Sequence, residues 1–390
     1  MSQLLFDYDA RLKKVRNLIE KNNLDYVLIT NLQNLYWLSG TAQYGVLLIH
    51  KVDKPVLLIR RNFFRAQKES ILENVIELKK TSQILDYLKN QGIALDKLRI
   101  GMELDSLPAS YMLNYQNLLK GAQIVNMEMK LRELRMIKDK KELEIHRLAG
   151  KMAQINQEAI PKMLKSGIKE YEIAAEVMYT SMKNKSMHFS IVNSMLENWF
   201  IVASGENLWI PSSFPILSGD GHSNAVPMCY TDRVIQRGDI VMCDYAQITQ
   251  GYHADHARTY YVETPPDKFK ERYLILKNAY LETVEEYLRD GNPVNIIYNK
   301  MKDILDKEGL GKYFQGDGYY YQGLGHGVGL ELDEPPFVVP NNETILKENM
   351  VIALEPKIIV PEWGAIDLED NFIIKKGKPE QITNTVYLFE

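Results

Sequence analysis

Cysteine and long apolar runs are scarce in this sequence. Its 390 residues contain only two cysteines, Cys229 and Cys243, which are too few for a disulfide framework. No run of about 18 apolar residues occurs, and the first residues contain early acids and no apolar core of signal-peptide length. These absences argue against a disulfide-rich secreted scaffold and a transmembrane protein, and they predict a cytoplasmic protein in a reducing compartment.

An excess of charge of one sign is also missing. The formal net charge is -4, and the shares of charged (25%) and hydrophobic (45%) residues are ordinary for a globular protein. This balance gives no broad attraction to nucleic acid or to an anionic membrane. The predicted partner is therefore a short peptide or another small molecule, with no nucleic acid and no membrane.

The length and the order of the predicted elements indicate two domains. Residues 8–22 have apolar side chains at helical spacing, and DYVLIT, YGVLLIH, KPVLLIR and LRIGM are typical of short strands. From Leu131 a long, charged, helix-forming run leads into a second domain, where further helices are predicted at about 168–184 and twice between Pro266 and Glu308. We predict a small N-terminal α/β domain over residues 1–135 and a second domain over residues 136–390.

A predicted hairpin contains the first candidate site residues. In RGDIVMCDYAQITQGYHADHARTYYV, two strand-like runs flank Gln250-Gly251, a plausible tight turn. With that turn, Asp255 lies opposite Ala246 and becomes a diagonal neighbour of Asp244, roughly 7–8 Å away at the backbone. Two acids on one face repel unless a cation lies between them, so this face is either solvated or a metal site.

Three more candidate ligands occur in the C-terminal third. Glu355 and Glu369 are embedded in apolar, strand-like runs, and His326 lies in GLGHGVGLELDEPP. Four carboxylates and one imidazole, if they converge, neutralise two divalent cations. Oxygen ligands with a single histidine suit pairs of manganese, iron(II), cobalt or zinc ions, and two ions roughly 3.5–4 Å apart can share a hydroxide nucleophile.

The motifs around these five residues resemble those of a known superfamily. DYAQITQGYHADHARTY, GHGVGLELDEPP, MVIALEP and IDLED resemble the metal-ligand motifs of the prolidase, aminopeptidase P, methionine aminopeptidase and creatinase superfamily. NLQNLYWLSG and LRELRMIKDKKELEIHRLA resemble the N-terminal domain and connecting helix of its prolidase and creatinase branch. The resemblance implies a creatinase-like α/β N-terminal domain followed by an α+β metallohydrolase domain with the "pita-bread" fold.

The resemblance also implies a role for each candidate ligand. Asp244 and Asp255 would bind one metal together and His326 the other, while Asp255, Glu355 and Glu369 would help to hold or bridge the pair. Glu355 would also be the proton shuttle between the water and the leaving nitrogen. The activity implied is hydrolysis of an amide bond, often one preceding proline, by a homodimer.

Several positions depart from the pattern of proline-specific peptidases. Three positions at which such peptidases usually have histidine are Pro227, Gln322 and Asp333 here. The frequent arginine before the last glutamate is Asp367, and the glycine usual after the Glu-Pro pair is Lys357. The implied metal ligands are all present, whereas the surrounding peptidase residues are not.

These departures bear on the substrate. A carboxylate at Asp333 donates no hydrogen bond unless it is protonated, so it repels an oxyanion. His222 is our candidate for the missing donor, whereas His253 and His256 are predicted to be structural and to lie on the face of the strand opposite to Asp255. The added acids predict either a pocket for a cationic substrate group or local compensation, with Lys357 pairing with Asp367.

Three functions are compatible with this pattern. The first is a dinuclear metallohydrolase acting on short peptides, as a Xaa-Pro aminopeptidase or dipeptidase. The second is a carbon–nitrogen hydrolase or lyase acting on a small cationic metabolite. The third is a non-enzymatic binding scaffold, against which the retention of all five ligands counts.

Overall fold

A computed structural model of the protein describes residues 6–89, 94–192, 195–197, 200–212, 217–316 and 323–389. The chain divides into two compact units, Met1–Arg135 and Met136–Glu390. Within the described residues, every helix is too short or too polar to cross a membrane.

The first unit is an α/β domain built around one mixed sheet. Its helices are α1 Tyr8–Lys21, α2 Leu32–Ser39, α3 Phe63–Glu69, α4 Gln83–Lys89, α5 Ala109–Leu118 and α6 Glu128–Glu133. Its strands are β1 Tyr26–Ile29, β2 Gly45–His50, β3 Val56–Ile59, β4 Val75–Glu77, β5 Arg99–Met102 and β6 Gln123–Asn126. The order in the sheet is β4-β3-β2-β1-β5-β6, and β1, β5 and β6 run parallel.

Local sequence explains the first helix and the central strands. Asp7 accepts a hydrogen bond from the backbone N–H of Ala10 and caps α1, whose Val15 and Ile19 are buried. All four residues of β1 are buried, as expected of a central strand covered on both faces. The predicted helix and the four predicted strands of this unit are all present.

The second unit contains the remaining elements. Its helices are α7 Lys140–Gln157, α8 Glu170–Lys183, α9 Phe269–Tyr287 and α10 Val294–Lys307. Its strands are β7 Ser190–Val192, β8 Met195–Glu197, β9 Phe200–Ser204, β10 Ile240–Thr249, β11 Tyr252–Tyr261, β12 Gly325–Gly327, β13 Val351–Leu354, β14 Lys357–Val360, β15 Gly364–Asp367, β16 Asp370–Ile373 and β17 Glu380–Gln381. They form sheets in the orders β11-β10-β9 and β12-β13-β16-β17, and the pairs β14-β15 and β7-β8.

The charged run after Leu131 is not one continuous helix. It forms the short α6 and then α7, separated by residues 134–139. Asp139 caps α7 by accepting from the N–H of Glu142, and the Glu142 side chain accepts from the N–H of Asp139 in return. This reciprocal capping box sets the start of α7, which high helix propensity alone does not locate.

The main hydrophobic core of the second unit lies between its last two long helices and its sheets. Buried side chains of α9 and α10, such as Leu276 and Ile297, pack in one cluster with Ile352 of β13 and Phe372 of β16. This packing holds the strands whose ends carry the candidate ligands.

Candidate metal centre

The β10–β11 hairpin has the predicted register. Thr249 pairs with Tyr252 and Ala246 with Asp255, so Asp244 and Asp255 are diagonal neighbours on one face. Gln250 and Gly251 both have positive φ, at 51° and 93°, as the tight turn between two twisted strands requires. The turn therefore places both candidate aspartates on the same side of the sheet.

His326 lies at the centre of β12, and its neighbouring glycines allow the strand to pack closely. A Cβ atom at Gly325 would collide with the carbonyl oxygen of Ala353, and one at Gly327 with that of Pro335. The register of β12 with β13 pairs His326 with Ala353. The glycines therefore let neighbouring backbone reach the strand that presents the histidine.

Glu355 and Glu369 lie at the ends of neighbouring strands. Glu355 follows β13 directly, Glu369 precedes β16, and the register pairs Leu354 with Asp370. The N–H of Glu369 donates to the carbonyl of Ala257 on β11, at 3.0 Å. The last glutamate is thus fixed against the hairpin that carries the two aspartates.

These elements bring three of the five predicted ligands into close contact. Ligand atoms of Asp255, His326 and Glu369 all lie within 4.8 Å of one another, and all three residues are buried. His326 Nε2 is 3.5 Å from Asp255 Oδ2 and 3.9 Å from Glu355 Oε1. Asp244 interacts electrostatically with Asp255 and Glu355. All five residues therefore border one cluster, within which Asp255, His326 and Glu369 form the closest set.

Three buried carboxylates of the cluster have raised pKa values, because they are buried and repel one another in the absence of a balancing cation. Burial raises the pKa of Asp255 well above its usual range, and the neighbouring Asp244 raises it further. The same causes raise the pKa of Glu369, by burial first and then by Asp255 and Asp244. The pKa of Asp244 is raised to about 6, mainly by burial, against the opposing effect of Lys357.

Asp333 lies at the edge of the same cluster. Its Oδ1 is 3.4 Å from His326 Nε2, and its side chain is 36% exposed. Although burial lowers the pKa of His326, the charges of Asp333, Glu355 and Asp255 raise it to about 9. The imidazole thus faces three carboxylates through one nitrogen, Nε2, and Nδ1 lies 3.1 Å from the carbonyl of Gly327.

Arg258 anchors the backbone beside Glu369. Its Nη2 donates to both carboxylate oxygens of Asp370, at 2.8 and 3.0 Å, and its Nη1 donates to the carbonyls of Ala257 and Glu369. The guanidinium also lies over the ring of Tyr387, 4.5 Å from its centroid. Arg258 therefore supports the segment that presents a candidate ligand.

The structural roles predicted for His253 and His256 agree with their contacts, but the predicted orientation of His253 was wrong. His253 Nε2 accepts from the N–H of Ile191, and its Nδ1 lies 3.0 Å from the carbonyl of Gly329. Being two residues from Asp255 in a regular strand, it shares that residue's face. His256 lies on the other face, with Nε2 3.0 Å from Thr385 Oγ1.

Lys357 has a contact that the sequence did not predict. Its Nζ lies 3.3 Å from Asp367 Oδ2 across the β14–β15 pair, so the compensation considered for these two residues is present. The same ammonium also pairs with Glu355 Oε2. The only local signal for this contact is the i, i+2 spacing of Glu355 and Lys357, which places two side chains on one face of a regular strand. Pro356 interrupts the strand between them, so the spacing alone does not predict the contact.

The other residues that depart from the peptidase pattern lie in different settings. His222 is exposed, and its ring faces the edge of Tyr230, 6.3 Å away between centroids. No hydrogen bond or ion pair links His222 to the cluster among the described residues, so its substrate-binding role stays a prediction. Pro227 lies in the same loop, and Gln322 lies outside the described residues.

The residues of the closest set fit a divalent metal ion. Once His326 has lost its proton, as metal ligation requires, two carboxylates and one imidazole supply oxygen and nitrogen donors with a formal charge of -2, and their burial leaves mutual repulsion poorly screened. A divalent cation would remove that repulsion. Asp244 and Glu355 would add two further carboxylates to it.

Known proteins resemble this chain over nearly its full length. A Xaa-Pro dipeptidase of Pyrococcus furiosus is 29% identical over 377 residues, which cover 96% of this chain and 98% of that protein. The crystal structure of the prolidase from Pyrococcus horikoshii has a TM-score of 0.81 at 28% identity and covers 98% of this chain and 100% of that one. A Xaa-Pro dipeptidase from Bacillus anthracis has a TM-score of 0.84 at 25% identity, with coverage of 97% and 98%.

Two family profiles account for most of the sequence. Residues 11–137 match the Creatinase/Prolidase N-terminal domain, and residues 144–376 match metallopeptidase family M24. Together with the structural similarity, they confirm the predicted fold class, an α/β creatinase-like domain followed by a pita-bread domain. The chain therefore belongs to metallopeptidase family M24, a family of metal-dependent hydrolases.

Proposed function

We propose that the protein hydrolyses the amide bond before proline in short peptides, as a Xaa-Pro dipeptidase or aminopeptidase. Relatives that match nearly the whole chain are Xaa-Pro dipeptidases. The observation that carries the proposal is the buried set of Asp255, His326 and Glu369, whose ligand atoms lie within 4.8 Å of one another. A cluster of this kind suits a metal-dependent hydrolase.

We propose Asp244, Asp255, His326, Glu355 and Glu369 as the metal ligands. Their four carboxylates can balance up to two divalent cations, and oxygen ligands with one imidazole suit manganese, cobalt, iron(II) or zinc. Ions held there would supply Lewis-acid polarisation of the scissile carbonyl and an activated water.

Glu355 is suited to moving the proton during hydrolysis. Burial raises its pKa, but Lys357 and His326 outweigh that effect and lower it below the usual range. Glu355 is therefore ionised and can accept a proton from the attacking water. It then donates that proton to the leaving nitrogen of proline.

Asp333 is suited to binding a cationic group of the substrate. Its side chain is partly exposed and its Oδ1 lies 3.4 Å from His326 Nε2, so a ligand at the cluster comes within its reach. A carboxylate there favours the free α-amino group of a short peptide and disfavours an oxyanion. His222 stays our candidate for a hydrogen-bond donor to the substrate.

Asp333 also gives the second function its support. A carbon–nitrogen hydrolase or lyase acting on a small cationic metabolite would use the same carboxylate. The two functions differ in the substrate cleaved, so a substrate panel separates them.

The first test is a peptide-release assay with the purified protein. Metal-depleted protein reconstituted with Mn²⁺ or Co²⁺ is given Xaa-Pro dipeptides, longer Xaa-Pro peptides, the same peptides with an acetylated N-terminus, and small cationic amides. We expect metal-dependent release of the residue before proline, and a decrease of at least about 100-fold with the Asp255→Asn variant, which replaces a charged ligand with a neutral amide.

Two results would contradict the proposal or part of it. Absence of cleavage of every Xaa-Pro peptide, with metal bound and the protein folded, would overturn the peptidase assignment, and cleavage of a cationic amide alone would support the second function. If Asp333→Asn and wild type prefer free over acetylated peptides equally, Asp333 has no part in binding the amino group.

Two further predictions concern the oligomeric state and the cellular location. The homodimer implied by the resemblance stays a prediction, and light scattering after size-exclusion chromatography tests it. The predicted cytoplasmic location likewise awaits a fractionation experiment.

A further inference from the structure

A buried lysine lies beside the loop that carries Asp333, residues 328–336, which we call the β12 loop. Lys138, near the start of the second unit, is 3% exposed, and its Nζ lies 3.6 Å from Oε2 of the fully buried Glu334. Glu334 directly follows Asp333 in the chain. An isolated charge is unfavourable in a protein interior, so each of the two groups favours a conformation that keeps the other nearby.

The backbone fixes Lys138 on its side of this contact. Its N–H donates to the carbonyl of Asn349 at 3.0 Å, and the preceding Ile137 forms a β-bridge with Met350, directly before β13. The next residue, Asp139, caps α7. Lys138 is thus held between a long helix and the sheet, and its side chain reaches the β12 loop from a fixed position.

The β12 loop folds around the side chain of Glu334. The N–H of Glu334 donates to the carbonyl of Gly327 at 2.7 Å, and its Oε1 accepts from the N–H of Glu331 at 3.1 Å. A Cβ atom at Gly329 would lie 2.4 Å from Glu334 Oε2, so this glycine leaves the space that the carboxylate fills. The Glu334 carboxylate therefore links the loop to Lys138 on one side and to the loop's own backbone on the other.

Asp333 differs from its neighbours in exposure. From Gly323 to Pro336 every residue is buried except Asp333, which is half-buried and whose Oδ1 lies 3.4 Å from His326 Nε2. Its carboxylate is presented by a backbone whose next residue, Glu334, is anchored by the buried ion pair. The position of Asp333 therefore depends on that pair.

We propose that Lys138 is a positioning residue for the substrate: through Glu334 it holds the β12 loop so that Asp333 selects a substrate with a free α-amino group. This inference rests on the proposed peptidase function and names a residue that sets its selectivity. A misplacement of about 1 Å caused by a distant substitution can cost on the order of 10²-fold in rate, so a loosened loop weakens recognition.

Peptide hydrolysis by wild type and Lys138→Met tests the inference. Methionine keeps most of the length of the lysine side chain and removes the charge. With a free and an N-acetylated Xaa-Pro peptide as substrates, we expect Lys138→Met to raise the KM of the free peptide at least about tenfold and to change kcat by less than about threefold. A loss of stability alone would affect both peptides equally, so the ratio of their kcat/KM values isolates the positioning role.

A double-mutant cycle links Lys138 to Asp333. If Lys138 acts through the placement of Asp333, adding Lys138→Met to Asp333→Asn lowers kcat/KM for the free peptide by less than about a further threefold. Lys138→Arg keeps a cation for Glu334 and is expected to stay within about threefold of the wild-type preference for the free peptide. Full additivity of Lys138→Met and Asp333→Asn would overturn the proposed route.

Two further variants separate positioning from folding. Lys138→Met alone leaves the Glu334 charge buried, whereas Lys138→Met/Glu334→Gln removes both charges and is expected to fold and to lose the preference for the free peptide to the same degree. Arg233→Gln breaks another ion pair of the same unit, in which Arg233 Nη1 lies 2.6 Å from Asp239 Oδ2, and is expected to leave the preference unchanged.

The outcomes that overturn the inference differ from those that overturn the proposed function. If Lys138→Met, or the double variant, keeps the wild-type KM and preference, Lys138 does not position the substrate, and the proposed function stands. An equal loss of preference with Arg233→Gln would show that the preference follows general stability. If metal-loaded wild type cleaves no Xaa-Pro peptide, the proposed function is overturned and this inference with it.

Discussion

At the scale of single residues, burial shifts the pKa values of ionisable side chains in the second unit in different directions. The carboxylates of the candidate metal centre lie next to other acids, whereas His146 on α7 is fully buried beside the edge of Tyr252, with 5.2 Å between the ring centroids. Burial, with a smaller effect from the charge of Lys138, lowers the pKa of His146 to about 3. This imidazole is therefore neutral in the folded protein.

His146 is expected to make folding sensitive to acid. Its folded pKa lies below the unfolded value of about 6.5, so its contribution to stability is complete above pH 6.5 and is lost as the pH falls toward 3. Between pH 6.5 and 4.5 this loss amounts to roughly 2 kcal/mol. Urea unfolding of wild type and His146→Phe at these two pH values, in the presence of chelator, measures it.

The variant keeps an aromatic ring beside Tyr252 and cannot be protonated. The free energy of unfolding of His146→Phe should therefore fall less on acidification than that of wild type. Equal pH dependence of the two proteins would show that His146 is not the group responsible.

At the scale of elements, the candidate metal centre depends on the junction between the hairpin and the β12–β13–β16–β17 sheet. Arg258 of β11 binds the carboxylate of Asp370 on β16 and also the carbonyl of Glu369, the residue directly before β16. The N–H of Asp255 also donates to Asn371 Oδ1, at 2.9 Å. These contacts fix two candidate ligands, Asp255 and Glu369, relative to each other.

Arg258→Gln is expected to damage both stability and metal binding. Arg258 and Asp370 are almost fully buried, at 1% and 0% side-chain exposure, so removing the guanidinium leaves a buried carboxylate without its main partner. The free energy of unfolding should fall by about 3–5 kcal/mol. The affinity for Mn²⁺ should fall by about 10- to 100-fold, because Glu369 loses its anchored backbone.

A surface arginine provides the matched control. Arg147 pairs with Glu380 at 2.5 Å, but the two side chains are 42% and 35% exposed. Arg147→Gln should therefore cost less than about 1 kcal/mol and leave Mn²⁺ binding unchanged. Equal losses from the two variants would contradict the role assigned to Arg258.

At the scale of the whole molecule, the two units have separate hydrophobic cores. The first is formed by residues such as Leu28, Leu48 and Ile100 around its single sheet. The larger core of the second packs α9 and α10 against the strands that carry the candidate ligands. Metal binding should therefore stabilise the second unit from within.

Hydrogen–deuterium exchange tests this expectation. Added Mn²⁺ at about 100 times its dissociation constant should stabilise the metal-binding unit by about 2.7 kcal/mol. We expect slower exchange in β10, β11, β12, β13 and β16 than in the presence of chelator, with the sheet of the first unit as the internal reference. Unchanged exchange in these five strands would show that the cluster does not bind the ion.

The sequence alone determined features that depend on neighbours along the chain. Gln250-Gly251 between two alternating runs predicted the hairpin register, because a two-residue turn allows only one pairing of the two strands that it connects. The four ligand motifs and the two N-terminal motifs predicted the superfamily fold, which the family matches confirm. Helix propensity was less reliable after Leu131, where a capping box starts α7 after a break that the charged run does not show.

Only the tertiary structure decided how residues distant in the chain share one charged cluster. Asp255, His326 and Glu369 meet because β11, β12 and β16 are brought together by long-range strand pairing and core packing, and no local pattern specifies such distances. The same packing turns Lys357 toward Glu355 as well as Asp367, and places Asp333 beside His326. The sequence supplied the chemical groups, and folding decided which charges face one another, because electrostatic interactions depend on distance and burial in three dimensions.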